Sequence, residues 1–328
     1  MKILVTGGEY PRNWEEIQIK NNEDFIRFRS GRILLIDWDS KQVEQEITYE
    51  SPNEIRNPSM MFKGGEIHDG FLNVVTNSEM VTYNLSTWQI ERHITHPSFN
   101  DLHGVFEEEG RFWLANTGLE MIQLCDGNGA ILEEYNMAST PTWPRFKKGK
   151  DYRLIGSTKP HETHTNHVFC VDGEHFATRF RQKDAISLGD PTRRFSIEVG
   201  NPHDGVCHGT RVYFTTTNGH ILVFDPKTQE LLINLNLQQT LEKAGMKPDG
   251  WCRGILPLDE NRVLVGFTQL RSTKFKEFVS WVKHLGNTPA PSRVIEVNLS
   301  NNTVLSEYTL PETEGRAIFS ILLWPFGN

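Results

Sequence analysis

Residues 103–135, HGVFEEEGRFWLANTGLEMIQLCDGNGAILEEY, decide the fold of this chain. They contain four short apolar segments separated by turn-forming residues, among them Glu109-Gly110 after the first segment and Asp126 after the third. Asp starts such turns because its side chain bonds the backbone two residues further on. A four-strand unit that recurs roughly every 40–60 residues is typical of a β-propeller blade.

Six copies of this unit can be aligned along the chain. The intervals between the copies are uneven. This argues against a solenoid, in which each repeat stacks on the last, and is compatible with a propeller, because inserted loops project from the disc. The fourth copy, residues 167–199, is the weakest, and its third strand cannot be placed from the sequence. The innermost strands are expected around Met61, Val105, Val168, Val206, Ile255 and Ile318.

The two ends of the chain complete one blade. Residues 317–324 match an innermost strand with nothing after it, and residues 2–7 match a second strand with nothing before it. Pairing them would close the ring and remove an open sheet edge. The sequence therefore predicts an all-β fold, a single domain over residues 1–328. We expect a six-bladed β-propeller whose first blade is closed by both termini, with small helical insertions on the top face.

Composition excludes several classes of function. The net charge is −8 with no long basic run, which argues against nucleic acid as a partner. No apolar stretch approaches a membrane span and no signal-peptide pattern is visible, so we expect a cytoplasmic protein without membrane contact. Residues 1–8, MKILVTGG, resemble the start of a dinucleotide-binding fold, but Pro11 follows where a helix should begin. No nucleotide cofactor is expected.

Polar side chains occur at the starts of the innermost strands, which line one end of the central channel in a propeller. Three copies place a histidine there, namely His103, His167 and His203. Neutral imidazole binds zinc, copper and iron, so these histidines are candidate ligands of a divalent transition metal whose identity stays open. Other copies place polar or cationic residues there that suit a polar or anionic substrate. These candidate substrate-binding residues are Ser59, Arg253 and Arg316.

Two carboxylates are candidate catalytic groups, as a base or as a partner of the metal ligands. Asp204 follows His203 directly, and Glu162 lies in the segment HETHTNH, residues 161–167. Pro160 favours an extended conformation for that segment. In an extended chain His161 and His167 share one side while His164 points the other way, so His167 is expected at the channel and His161 or Glu162 above it.

Long insertions share the face on which the inner strands begin, and loops of this kind often carry function. They span residues 7–32, 136–166, 237–250 and 268–293. Within the last, residues 274–285 have an apolar stripe at helical spacing and are predicted to form a helix, either a lid over the channel or a packing element. Residues 237–244 are predicted to form a second short helix.

The blade pattern resembles the broad superfamily of NHL-type and gluconolactonase-like six-bladed propellers. Members similar to gluconolactonase hold a divalent metal through Glu, Asn and Asp at inner-strand positions, whereas this chain has histidines there. The resemblance therefore implies the architecture but not that activity.

Three interpretations of the polar cluster remain open. The side chains either bond neighbouring loops and channel water, or hold a metal, or form a metal-free acid–base site. Two functions follow: a metal-assisted enzyme acting on a small polar or anionic molecule, or a non-catalytic propeller that binds a protein or peptide through its looped face. The reaction class, whether lyase, oxygenase or hydrolase, is not determined by the sequence.

Overall fold

The computed structural model describes residues 1–9, 30–52, 60–270, 290–311 and 316–327. In these residues the chain forms six four-stranded antiparallel sheets, β1 to β24. The predicted six-bladed propeller is confirmed. Each blade runs from an innermost strand at the axis to an outermost strand at the rim, and the blades follow one another in chain order.

The strands have the following bounds. The first blade contains β1 (Lys2–Glu9), β2 (Ser30–Asp37), β3 (Gln42–Tyr49) and β24 (Arg316–Leu323). The second contains β4 (Gly64–His68), β5 (Phe71–Val75), β6 (Glu79–Asn84) and β7 (Gln89–Thr95). The third contains β8 (Leu102–Glu108), β9 (Arg111–Asn116), β10 (Met121–Cys125) and β11 (Ile131–Asn136).

The second half of the ring repeats this arrangement. The fourth blade contains β12 (Thr165–Val171), β13 (Glu174–Arg179), β14 (Asp184–Ser187) and β15 (Arg194–Ser196). The fifth contains β16 (Val206–His208), β17 (Arg211–Thr215), β18 (His220–Phe224) and β19 (Leu231–Asn236). The sixth contains β20 (Trp251–Pro257), β21 (Arg262–Thr268), β22 (Arg293–Asn298) and β23 (Thr303–Thr309).

Ring closure joins the two termini as predicted. β24 pairs antiparallel with β1, for example Ile3 with Leu323 and Val5 with Ile321. Ile318 and Ile321 from β24 are buried with Ile3 and Val5 in one apolar cluster. The first blade therefore depends on strands from opposite ends of the sequence.

Apolar side chains on alternate strand positions pack between neighbouring blades and form the core. Between the fourth and fifth blades the cluster is mainly aromatic, with Phe176 and Phe195 at 5.2 Å and Phe195 and Phe214 at 5.7 Å between ring centroids. Aromatic rings bury large areas and gain further from tilted packing at these distances. These phenylalanines therefore stabilise the packing of the fourth blade against the fifth.

The third strand of the fourth blade, β14, departs from the apolar pattern of the other copies. It begins with Asp184, which is buried and forms an ion pair with Arg179 of β13 at 2.6 Å between nitrogen and oxygen. A buried charge of this kind is tolerated because it is paired. A strand that starts with a buried carboxylate is not recognisable from hydrophobic periodicity.

Two short helices lie in the described insertions, α1 (Thr142–Arg145) and α2 (Leu237–Lys243). The second confirms the helix predicted for residues 237–244, and the side chain of Asn236 caps its first turn by accepting from the N–H of Gln239. The predicted helix and lid at residues 274–285 lie outside the described residues. In the described part of the chain no helix is both long enough and apolar enough to span a membrane.

Candidate functional site at the top of the central channel

The innermost strands are irregular where the predicted site residues occur. The pairing register shifts by a β-bulge between Leu102 and Gly104 in β8, between Thr165 and His167 in β12, and between Cys252 and Ile255 in β20. A bulge inserts one extra residue and redirects its side chain. The bulges therefore change the direction of side chains at the starts of these strands.

Glycines allow the inner strands to approach one another closely at this level. A Cβ atom on Gly64 would lie 2.3 Å from the carbonyl oxygen of His103, and one on Gly104 would lie 3.1 Å from the Cα of His167. Any larger residue would push the second, third and fourth blades apart at the axis. The narrow ring brings the imidazoles of successive blades together.

An ion pair between the buried Lys63 and the half-buried Asp101 lies beside these histidines. Lys63, only 6% exposed, donates from Nζ to Asp101 and also to the side-chain oxygen of Asn77 at 3.1 Å. Burial alone would raise the pKa of Asp101, but the charge of Lys63 outweighs it and holds that pKa well below its usual range. Asp101 is therefore an ionised carboxylate at the axis.

Histidines surround this carboxylate. His161 and His164 approach to 3.1 Å between their Nδ1 atoms, and the ring of His103 lies 5.1 Å from that of His164. Donor atoms of Asp101, His161 and His164 all lie within 4.8 Å of one another. His164 points into this group because its backbone is left-handed, with φ 52°, which breaks the alternation expected for an extended segment.

The loop that carries these histidines is held by Glu120. This carboxylate is almost fully buried, accepts from the hydroxyl of Thr163 at 2.9 Å and from the N–H of His164 at 3.3 Å, and pairs with Arg145 at 2.8 Å. On the other side of the loop, Nε2 of His161 is hydrogen-bonded to the hydroxyl of Thr158 at 3.0 Å. With Nε2 occupied, Nδ1 of His161 is the atom that faces the group.

The predicted metal ligands His103, His167 and His203 all lie near the axis, but their donor atoms do not form one group. The rings of His103 and His203 are 6.2 Å apart, and His167 packs beside Phe169. Among the described residues, the group with metal-ligand spacing at this end of the channel is Asp101, His161 and His164.

Of the predicted substrate-binding residues, only Arg253 can be located. It is buried, and its guanidinium carbon lies 3.6 Å from the ring centroid of Phe319, which belongs to the first blade. This cation–π contact holds the side chain close to the axis. Ser59 lies outside the described residues, and so does the side chain of Arg316, whose backbone begins β24.

The two predicted catalytic carboxylates have different surroundings. Asp204 is buried and accepts from the N–H of Gly254 at 3.1 Å and from the hydroxyl of Thr215, and burial raises its pKa to about 6. These bonds fasten the fifth blade to the bulge of the sixth. Glu162 is exposed and accepts from the N–H of Ser139 at 2.8 Å.

Burial keeps the imidazoles neutral. It lowers the pKa of His103 to about 3 and that of His167 to about 4, and it holds the pKa of His164 and His203 well below the usual range. The charge of Arg253 adds to the effect of burial on His203. Neutral imidazole is the form that binds metal ions.

Sequence reasoning did not select Lys63, Asp101, His164 or Glu120 as site residues. Lys63 precedes the innermost strand of the second blade much as His103 begins that of the third, so a stricter alignment of the copies would have found it. Glu120 gives no such signal, because it directly follows a short 3₁₀ turn that connects two strands of one blade.

The metal-free protein is expected to lose stability as the pH falls from about 6.5 to about 4, partly through His167. Its pKa is about 4 in the folded protein because burial disfavours the charged ring, against about 6.5 in an unfolded chain. Between these two pKa values the unfolded state binds more protons than the folded state. The free energy of unfolding therefore decreases as the pH is lowered. One such group contributes on the order of 1 kcal/mol per pH unit.

Denaturant unfolding across this pH range in a chelating buffer measures the effect. The His167→Gln variant should show a shallower slope, while His220→Gln, which alters a histidine on the outer part of a blade, should keep the slope of the parent. An unchanged slope in His167→Gln would contradict this assignment.

Comparison with known proteins identifies the architecture. No family model matches the chain, and no curated protein matches it. It is similar to the crystal structure of a protein of unknown function from Bacteroides caccae, with a TM-score of 0.61 and 12% identity over 98% of this chain and 97% of that one. A chain in the nidogen/laminin complex is similar with a TM-score of 0.57 and 9% identity, covering 99% of each chain. At these identities the likeness shows a shared fold.

Proposed function

We propose that this propeller is a metal-dependent enzyme acting on a small polar or anionic molecule at the top of the central channel. The observation that carries the proposal is the group formed by Asp101, His161 and His164, whose donor atoms lie within 4.8 Å of one another. It lies beside the buried cations Lys63 and Arg253.

The donor set suits iron or zinc. Two histidines and one carboxylate are a frequent combination for both metals in catalytic sites, because three protein ligands leave positions open. Two nitrogens bound to one ion at about 2.1 Å each are separated by about 3.0–3.4 Å. The Nδ1 atoms of His161 and His164 are 3.1 Å apart already.

Charge balance also supports a metal at this point. Asp101 is ionised, both imidazoles are neutral, and Asp101 is oriented by Lys63, which bonds one of its oxygens. Bound there, a divalent metal would act as a Lewis acid on an oxygen of the substrate.

The remaining side chains would bind and orient the substrate. Lys63 and Arg253 supply positive charge for an anionic group, and desolvation strengthens that attraction. His103 donates from Nδ1 to the carbonyl oxygen of Asp101 at 2.8 Å, so its neutral ring carries no proton on Nε2. That nitrogen can accept a hydrogen bond from a substrate hydroxyl.

The purified protein is expected to contain about one iron or zinc ion per chain at this group, and His164→Ala should lose it, because removing one of three ligands weakens binding by orders of magnitude. Elemental analysis and titration of the chelated protein with Fe²⁺ under anaerobic conditions, or with Zn²⁺, measure the change. His208→Ala is the matched control, since it removes an exposed histidine at the opposite end of an inner strand.

Glu120→Gln tests the positioning of the loop separately. Affinity should fall about 10–100-fold, as expected for residues that orient metal ligands, without loss of the ligands themselves. A metal content of the parent that is well below one ion per chain, or one that His164→Ala does not lower, would contradict the enzyme proposal. Capture of a protein or peptide by the looped face would then become the better explanation of the propeller.

A further inference from the structure

A second group of metal-ligating side chains lies at the other end of the channel wall. Glu108, Cys170 and His175 each present a donor atom, and the three atoms lie within 4.8 Å of one another. Glu108 ends β8, whereas His103 lies near its start, so the two regions are separated by roughly 17 Å of strand. This second group shares no ligand with the site at the top.

His175 is held in position by aromatic rings of the third blade. Its ring stacks on Trp113 of β9 at 4.0 Å between centroids and 24° between planes, and it meets the edge of Phe106 of β8 at 5.7 Å. Nε2 faces Glu108, with 3.3 Å between nitrogen and carboxylate oxygen. This nitrogen is buried and, among the described residues, makes no hydrogen bond of good geometry.

Cys170 provides the third donor from β12 of the fourth blade. It is a half-buried free thiol on the innermost strand. Donor atoms around one tetrahedral zinc ion are separated by about 3.3–3.8 Å, so the pair formed by His175 and Glu108 already has a suitable separation. The Sγ atom of Cys170 lies within 4.8 Å of both of these donor atoms.

We propose that Glu108, Cys170 and His175 form a zinc site at the bottom of the propeller, joining the third and fourth blades. Thiolate, imidazole and carboxylate together favour Zn²⁺ over the harder ions Mg²⁺ and Ca²⁺. Glu108 is partly exposed, which gives the ion a path from solvent and leaves a fourth position for water.

Cobalt distinguishes this site from the one at the top. A thiolate ligand gives bound Co²⁺ an intense charge-transfer absorption in the near ultraviolet, and the group at the top has no cysteine. Titrating the chelated, reduced parent with Co²⁺ should produce this band, and in His164→Ala, which lacks the top site, the band should be complete at one equivalent. Zn²⁺ should abolish it by displacement. Cys170→Ser and His175→Ala should each lose the band. His164→Ala, altered only at the top site, and His208→Ala should keep it.

In the His164→Ala background, which lacks the top site, zinc should raise the melting temperature, and adding Cys170→Ser should abolish that rise, since an ion that binds only the folded state stabilises it. Circular dichroism of each variant establishes that it is folded. No charge-transfer band in the parent would overturn the proposal. So would a band that persists in Cys170→Ser, because it would assign the thiolate to another cysteine, such as the exposed Cys207.

Discussion

Deleting residues 317–328 is expected to prevent folding. The deletion removes nearly all of β24, and with it the partner of β1 along the register from Ile3 to Gly8. Ile318 and Ile321 are 0% and 2% exposed, and each buried side chain of this size contributes about 1.5–3 kcal/mol. Together with the lost strand pairing this is comparable to the total stability of a domain, about 5–15 kcal/mol.

The truncated chain should accumulate as insoluble protein, because β1 becomes an unpaired edge that other chains can extend. Soluble yield, circular dichroism and thermal melting measure the outcome. A shorter deletion, residues 325–328, leaves β24 intact and should keep the fold with only a small loss of stability. A soluble 317–328 deletion with the melting curve of the parent would show that closure by both termini is not what holds the ring.

Replacing Asp101 with Asn is expected to have the next largest effect. The substitution leaves Lys63 buried without its carboxylate, and breaking a buried ion pair in this way costs about 3–5 kcal/mol. Asn tolerates the left-handed backbone at this position, φ 54°, so the loss reflects charge and not strain. Urea or guanidinium unfolding of the metal-free protein measures it.

Three further measurements separate charge from other causes. Asp69→Asn changes an exposed carboxylate with a similar left-handed backbone, φ 46°, and should alter stability by less than about 0.5 kcal/mol. The double variant Lys63→Met with Asp101→Asn should recover stability, because no charge remains unpaired, yet should still fail to bind metal. Alkaline pH should restore part of the stability of the single variant as Lys63 deprotonates. Full stability of Asp101→Asn at neutral pH would contradict the importance of this ion pair.

Much of the architecture could be predicted because a blade is a local unit. Each strand, turn and following strand is specified by residues close in sequence, such as the apolar run of β9 and the Glu109-Gly110 turn before it. The closure of the ring followed from two incomplete copies at the ends. The position of β14 could not be predicted, because this strand begins with a carboxylate, Asp184. Burial of that carboxylate is tolerated since Arg179 pairs with it.

The site was predictable in location but not in composition. Inner-strand starts were expected to converge, and His103, His203 and Arg253 do lie at the axis. Which side chains come within ligand distance depends on bulges and on the left-handed backbone of His164, and neither can be read from periodicity. The predicted roles of His167, Asp204 and Glu162 stay predictions.

Local patterns that recur six times along the chain were enough to predict the number of blades, the order of strands and the end of the channel that carries histidines. Three features became visible only in the folded protein: Asp101 is ionised beside Lys63, His161 and His164 belong to one group, and Cys170 lies near His175 and Glu108 at the opposite end. Each of these groups includes residues from more than one blade or loop. The distances between the donor atoms change with shifts of about an ångström in the packing of neighbouring strands. A hydrophobic pattern in the sequence does not define positions that finely.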